Sequence, residues 1–236
     1  YLSLLVVIFL PLASFTLVNK LKLDSREKSL ESTKSENLNI KQWTRLEVLK
    51  DYRFYIISLN MLSLPSIATG VFVYQSFILT SKNWGPFIMA QSFMSYAVMS
   101  VITLSISGFL IDKYTSRKLL IYMNIPLFLA ALILHFFNSP YSSFIFLGLI
   151  GISNGFANVL GSSTWAEIYG VKYIGGIKAL TSGLMVFATA LGTAIFGILI
   201  DDGYTINSIA VFSAIYIATI VLLLFFYRKK IEPIYL

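Results

Sequence analysis

The sequence predicts an all-α integral membrane protein that crosses the bilayer several times. Three observations point there. Of its 236 residues, 57% are hydrophobic and 12% charged, with a mean hydropathy of +0.78. Apolar runs recur at lengths near the roughly 20 residues a helix needs to cross hydrocarbon. The Lys and Arg residues collect in alternate connections between those runs. A soluble domain of this composition would expose too much apolar surface to stay dispersed.

What the chain lacks narrows its chemistry. It contains no Cys and a single His, His135, which removes disulfides, thiolate metal sites and a Cys nucleophile and leaves little scope for imidazole catalysis. The expectation is a protein that is not an enzyme, with no metal site and no cofactor. The formal charge of +7 does not indicate nucleic acid, because the bases lie between apolar spans rather than among aromatics on a water-soluble face.

Seven runs read as spans, near residues 1–18, 54–79, 87–111, 119–137, 142–165, 174–200 and 206–227. Backbone groups in lipid must pair within the protein, and long apolar runs without strand alternation do so as helices. The first run starts at Tyr1 with no signal-peptide n-region, so the natural N-terminus is expected further upstream. Residues 19–53 are a charged linker rich in Lys, Ser and Glu, expected to be solvated. Its last part, WTRLEVLKDYRF, places Trp43, Leu46 and Leu49 on one side of a short helix expected to lie on the membrane surface. Pro65 and Pro126 fall inside spans and are expected to kink them. Residues 228–236 form a short tail.

Orientation follows from the bases. Of the 18 Lys and Arg, all but Lys82 fall in the linker, the 112–118 loop, the 166–178 stretch and the tail. The positive-inside rule makes those four connections cytoplasmic. The first span then runs inward, six spans follow, and the C-terminus ends inside; the expected location is a plasma membrane, the inner membrane of a bacterium.

The six later spans divide into two triplets marked by a short repeat. Residues 108–112 read GFLID and residues 197–201 read GILID, each closing the middle span of its triplet. An odd number of spans per triplet puts the first copy, Gly108 to Asp112, at the cytoplasmic face and the second, Gly197 to Asp201, outside. That is the expected mark of an inverted-topology repeat.

Gly108, Leu110, Asp112, Lys113, Arg117 and Lys118 resemble the signature loop of the major facilitator superfamily. GILIDDGY is similar to the ending of that family's eleventh helix, and STWAEIYGVKYIGGIKAL, from Ser163, to its junction of the tenth and eleventh helices. Thr115 stands where the family pattern has Gly, and Ser116 where it often has a base. The resemblance implies seven of twelve helices: residues 1–18 as the last span of an N-terminal half, 19–53 as the central loop, and 54–227 as a six-span C-terminal half. It also implies secondary active transport of a small solute by alternating access, as symporter or antiporter, with a coupling proton or ion. In that reading Gly108, Asp112, Lys113, Arg117 and Lys118 form a gating latch that closes against the N-terminal half. Gly108 permits close helix approach, Asp112 faces a helix N-terminus, and the bases pair with Asp112 and anchor to anionic headgroups.

In the family the first and fourth helices of each half line the central cavity, here residues 54–79 and 142–165. Asn154 and Asn158, four apart on one helix face, and Asn60, Tyr74 and Gln75 on the facing helix are the candidate solute ligands; interhelical bonding is an equally good reading of each Asn. Gln91, Tyr96 and Asn124 read as packing groups, as do Gly151, Gly155 and the strip Ala188, Gly192, Thr193 and Gly197. The WAEIYG neighbourhood is similar to monocarboxylate and oxalate/formate-type carriers, which makes an organic acid the leading solute, although no Lys or Arg lies mid-span to neutralise one. Drug or metabolite efflux, and a non-transporting sensor or receptor on the same scaffold, are the alternatives.

Overall fold

The computed structural model describes residues 40–235; the expected span at 1–18 and most of the linker lie outside the described residues. The chain divides into two compact units, Tyr1–Lys41 with Tyr235–Leu236, and Gln42–Ile234. Of the first, the structure describes an isolated antiparallel bridge between Ile40 and Tyr235.

The second unit is helical throughout. A six-residue helix, α1 (Arg45–Lys50), opens on Thr44, whose N–H and hydroxyl both donate to Glu47 Oε2 at 2.8 Å, a reciprocal cap that lets so short a helix form. Next come α2 (Tyr52–Val73), α3 (Gln75–Lys82), α4 (Ile88–Tyr114), α5 (Ser116–Met123), α6 (Ile125–Phe136), α7 (Ser142–Tyr169), α8 (Ile174–Asp201) and α9 (Ile206–Tyr227). Six segments are long and apolar enough to cross a membrane: α2, α4, the α5–α6 stretch, α7, α8 and α9. They match the expected runs from residue 54 onward, and the molecule is an all-helical, multi-pass integral membrane protein.

Two runs expected to be single spans are interrupted. The run at 54–79 breaks at Tyr74, nine residues beyond Pro65; α2 runs through Pro65 without a break, and Thr69 Oγ1 donates back to the Pro65 carbonyl at 2.6 Å. The run at 119–137 breaks at Asn124, and Pro126 sits in the first turn of α6. Proline has no N–H to continue a preceding helix but fits a first turn, where none is needed.

The six spans pack in exchanged pairs. The middle span of the first triplet, α4, lies along the first span of the second, α7; the middle span of the second, α8, lies along the first span of the first, α2. The third spans, α6 and α9, pack on each other, and each also packs on the first span of the other triplet. Interchanging the triplets leaves this scheme unchanged. The two middle spans are also the least buried of the six.

Small residues make the close pairs. A Cβ on Gly151 of α7 would collide with the Tyr96 carbonyl of α4, and one on Gly155 would lie 2.6 Å from Thr103 Cβ. A Cβ on Gly192 of α8 would collide with the Ser66 carbonyl of α2, where Ser66 Oγ also donates to the Ala188 carbonyl at 3.0 Å. These glycines are where backbones meet, as small residues permit in lipid, where dispersion replaces the hydrophobic drive. Gly108 has open space beyond its Cα, so no described helix approaches there.

Polar pins cross the remaining contacts. Ser153 Oγ donates to the Met123 carbonyl at 2.9 Å, and Ser95 Oγ to the Phe144 carbonyl at 2.9 Å. At the C-terminal ends of α3 and α6, Lys82 Nζ donates to Asn138 Oδ1 at 2.8 Å and Trp84 Nε1 to the Asn138 carbonyl at 2.7 Å. One apolar core, with Ile67, Val71, Leu127, Phe146 and Phe196, fills this half of the bundle. A second, with Phe54, Leu120, Trp165, Ile168 and Leu224, fills the other. Large apolar side chains such as Phe136, Ile145 and Phe226 face outward, as a lipid-facing surface requires.

Candidate functional site

The ends of α1, α4, α7 and α9 gather at one pole of the bundle, hereafter the basic end. Their meeting there follows from the contacts. The Trp43 N–H donates to the Tyr169 carbonyl at 3.1 Å, and the Lys172 N–H donates to Gln42 Oε1 at 2.9 Å. The end of the linker thus binds the end of α7, whose C-cap Gly170 takes φ of 81° with Gln42 directly against it. Val48 of α1 is fully buried while Leu46 is 71% exposed. The face expected to hold Trp43, Leu46 and Leu49 together is therefore split: Trp43 turns onto Tyr169 in an edge-on contact at 5.5 Å.

Below α1 lies a buried ion pair. Arg53 Nε donates to Asp51 Oδ2 at 2.7 Å, and its guanidinium sits over the rings of Trp43 at 5.3 Å and Tyr169 at 5.9 Å. Arg53 Nη1 donates to the Glu232 carbonyl at 2.5 Å, and Tyr169 Oη donates to Asp51 Oδ2 at 3.1 Å. Linker, first span, α7 and tail are tied through one guanidinium, which presents several donors in a rigid fork.

The signature-like loop is built differently from the expectation. Arg117 Nε pairs with Glu167 Oε1 of α7 at 3.0 Å, and its Nη1 faces Glu232 of the tail at 3.7 Å, rather than pairing with Asp112. Asp112 is exposed and has no ion-pair partner among the described residues. Lys113 is exposed beside the Tyr114 ring, and Lys118 is exposed. The carboxylate that meets a helix N-terminus is Glu167: the Ser116 N–H and hydroxyl donate to it, the N–H at 2.9 Å, at the start of α5. Thr115, in the position where Gly was expected, takes φ of 67° and ψ of 148°, backbone that suits glycine and strains a β-branched residue.

At the second copy of the repeat, Gly197 faces the Tyr74 hydroxyl, which lies 2.5 Å from where a Cβ would stand; Asp201 is exposed.

A cavity of about 450 Å3 opens between α2, α7 and α8, with Tyr96 of α4 on its wall. Asn154 and Asn158 both line it. Asn154 Nδ2 donates to Ser100 Oγ at 2.9 Å and Asn158 Nδ2 to the Asn154 carbonyl at 2.9 Å, which leaves the two amide oxygens without a described partner. Ser58 lines the same cavity, and its buried Oγ has no hydrogen-bond partner among the described residues. Pro65, Trp165, Thr181 and Ser182 complete much of the lining, and Lys178 of α8 is the one charged residue among the described residues that line it.

The other candidate ligands are elsewhere. Asn60 is fully buried; its Nδ2 donates to the Leu120 carbonyl at 3.1 Å, and its carbonyl and Oδ1 accept from Asn124 Nδ2 at 2.7 and 3.0 Å. The pair pins α2 to the Asn124 break between α5 and α6. Tyr74 and Gln75 do not line the cavity. Gln91 is exposed, and His135 Nδ1 lies 3.1 Å from the Asn207 carbonyl.

Sequence reasoning passed over Ser58, Lys178 and Tyr96 as cavity residues. Lys178 was legible as a base one turn into a span, but its facing depends on the roll of α8, which pattern alone does not set.

The chain matches no protein-family model and no curated protein.

Proposed function

We propose that this protein is a secondary active transporter, built on a major facilitator type of half-bundle, that carries a small organic acid by alternating access. The exchanged packing of the two triplets supports the inverted-repeat reading. The exposed faces of the two middle spans, α4 and α8, suit a half-bundle that meets another. The observation that carries the solute is the cavity between α2, α7 and α8: Lys178 is the one charged residue among the described residues that line it, and Asn154, Asn158 and Ser58 offer neutral hydrogen-bonding groups. A cation, a few directional polar groups and a largely apolar wall are what a monocarboxylate of modest size requires of a site. Lys178 supplies the charge that no mid-span residue provides.

The test is uptake by the full-length protein in liposomes, with labelled formate, lactate and oxalate against glucose. The expected result is saturable uptake of an acid that Lys178→Gln lowers about tenfold or more, the loss of one hydrogen bond to a charged group. Uptake of glucose instead overturns the organic-acid reading, and acid uptake that Lys178→Gln leaves unchanged overturns Lys178 as the residue that holds the acid. Saturable binding of an acid without flux favours a sensor.

A further inference from the structure

A second groove, of about 650 Å3, lies at the basic end between the turn at Thr115 and the tail. It is separate from the solute cavity. Arg117, Lys118, Arg228 and Lys229 line it against the single acid Glu232. Arg117 is already faced by Glu167 and Glu232. Lys118, Arg228 and Lys229 have no carboxylate within ion-pair distance among the described residues, and the Arg228 guanidinium rests on the Phe225 ring at 4.1 Å. The remaining wall is aliphatic and phenolic, with Leu110, Ile121 and Tyr122 prominent, and Tyr122 is 57% exposed. The groove thus lies between the end of α4, the first turns of α5 and the tail that leaves α9.

Three bases with no carboxylate partner among the described residues, beside an aliphatic and tyrosine wall at the end of membrane helices, match both parts of one molecule. We propose that this groove binds an anionic phospholipid, its headgroup phosphate held by Lys118, Arg228 and Lys229 and its glycerol and upper acyl region against Leu110, Ile121 and Tyr122. Basic pockets between spans at the cytoplasmic side hold such headgroups, and Lys and Arg stems lie along apolar surface while their charged ends reach the interface. A free phosphate would satisfy the bases and leave the apolar wall uncovered; a lipid satisfies both. The assignment depends on this end of the bundle facing an anionic leaflet and is independent of what the cavity between α2, α7 and α8 carries.

The full-length protein in a neutral detergent provides the test, with its melting midpoint followed against phosphatidylglycerol, phosphatidylcholine and inorganic phosphate. A ligand of the folded state raises the midpoint as its concentration grows. The expected result is a saturable rise with phosphatidylglycerol and none with phosphatidylcholine or inorganic phosphate. Replacing Lys118 and Lys229 together by Gln is expected to raise the half-saturating concentration roughly 30-fold, while the charge-matched pair Lys50→Gln and Lys172→Gln moves it by less than about twofold. All four side chains are exposed, so folding is expected to survive, and native mass spectrometry of retained lipid gives the same comparison should a variant lower its own midpoint. Equal responses to phosphatidylglycerol and phosphatidylcholine overturn the site. An equal response to inorganic phosphate reassigns it to a free anion, and a half-saturation unmoved by the Lys118 and Lys229 changes overturns its location.

Discussion

Glu167, at the end of α7, closes on the first turn of α5: its Oε2 accepts from the Ser116 N–H at 2.9 Å while its Oε1 faces Arg117 Nε at 3.0 Å. One carboxylate both caps a helix and holds the base that reaches on to Glu232 of the tail. A negative charge at a helix N-terminus stabilises by up to about 2 kcal/mol when partly buried. Both side chains here are 23% exposed, which trims that figure. Glu167→Gln is expected to cost about 1 kcal/mol in equilibrium unfolding in mixed micelles, and Arg117→Gln less, because the Ser116 bonds remain. An Arg117 effect as large as that of Glu167 would mean that the ion pair, not the cap, holds the loop.

The Asp51–Arg53 pair predicts a larger loss. Both side chains are buried, and removing one partner strands the other's charge, an effect of about 3–5 kcal/mol. Arg53→Met is expected to destabilise by about that amount and Tyr169→Phe, which deletes a single bond to Asp51, by about 1–2 kcal/mol. Arg53→Lys should recover little, since a lysine cannot reach Asp51, the Glu232 carbonyl and two ring faces at once.

Thr115→Gly is expected to stabilise. A residue held at φ of 67° carries strain of about 1–3 kcal/mol, against which glycine's added freedom in the unfolded chain costs about 0.5–1 kcal/mol. The net gain of about 1 kcal/mol appears as a raised melting midpoint. A fall would show that the Thr115 side chain makes a compensating contact.

Glycine positions within α8 separate close approach from open surface. Gly192→Ala drives a methyl into the Ser66 carbonyl, and overpacking of this kind costs about 1–3 kcal/mol. Gly183→Ala meets nothing within 4 Å and is expected to be neutral or slightly stabilising, because alanine is the better helix former. Equal effects at the two positions would place the α2–α8 contact elsewhere.

Lys82 gives the chain a pH dependence of known sign. Burial holds its pKa below the ordinary 10.5. The unfolded chain therefore keeps the proton to higher pH than the folded one, and stability rises with pH between the lowered value and the ordinary one. At lower pH the cost of burying the charge is fully present. The difference in stability between the wild type and Lys82→Met is expected to change in the wild type's favour across that alkaline window; a flat difference would remove Lys82 as its source.

Much of the molecule was readable in advance, for reasons that are local. A span must be about 20 apolar residues long wherever it falls, so α4, α7, α8 and α9 announced themselves by length. Bases resist crossing the membrane, so their alternation predicted which connections would meet, and the contacts of Gln42 with Lys172, Arg53 with Glu232 and Arg117 with Glu167 join those connections. Asn154 and Asn158 share a face because four residues is close to one helical turn, and both line the cavity.

The rest turned on how helices roll and which neighbour lies at hand. Asn60 and Lys178 show the limit: one, a polar group inside a span, satisfies itself against Asn124, while the other, a base near a span's end, lines the cavity. No periodicity separates these outcomes, since each depends on the partner a neighbouring helix offers at that height. In the same way the residue types in GFLIDKYTSRK drew attention to Asp112, while within the described residues it is Glu167, distant in sequence, that meets the start of α5. By itself the sequence determined the solvent this chain is built for, the number of its described spans and the end at which its bases gather, because these follow from burial and charge along one dimension. Only the tertiary structure decided which side chains meet across helices, because a polar group in the membrane takes the nearest partner three-dimensional packing provides.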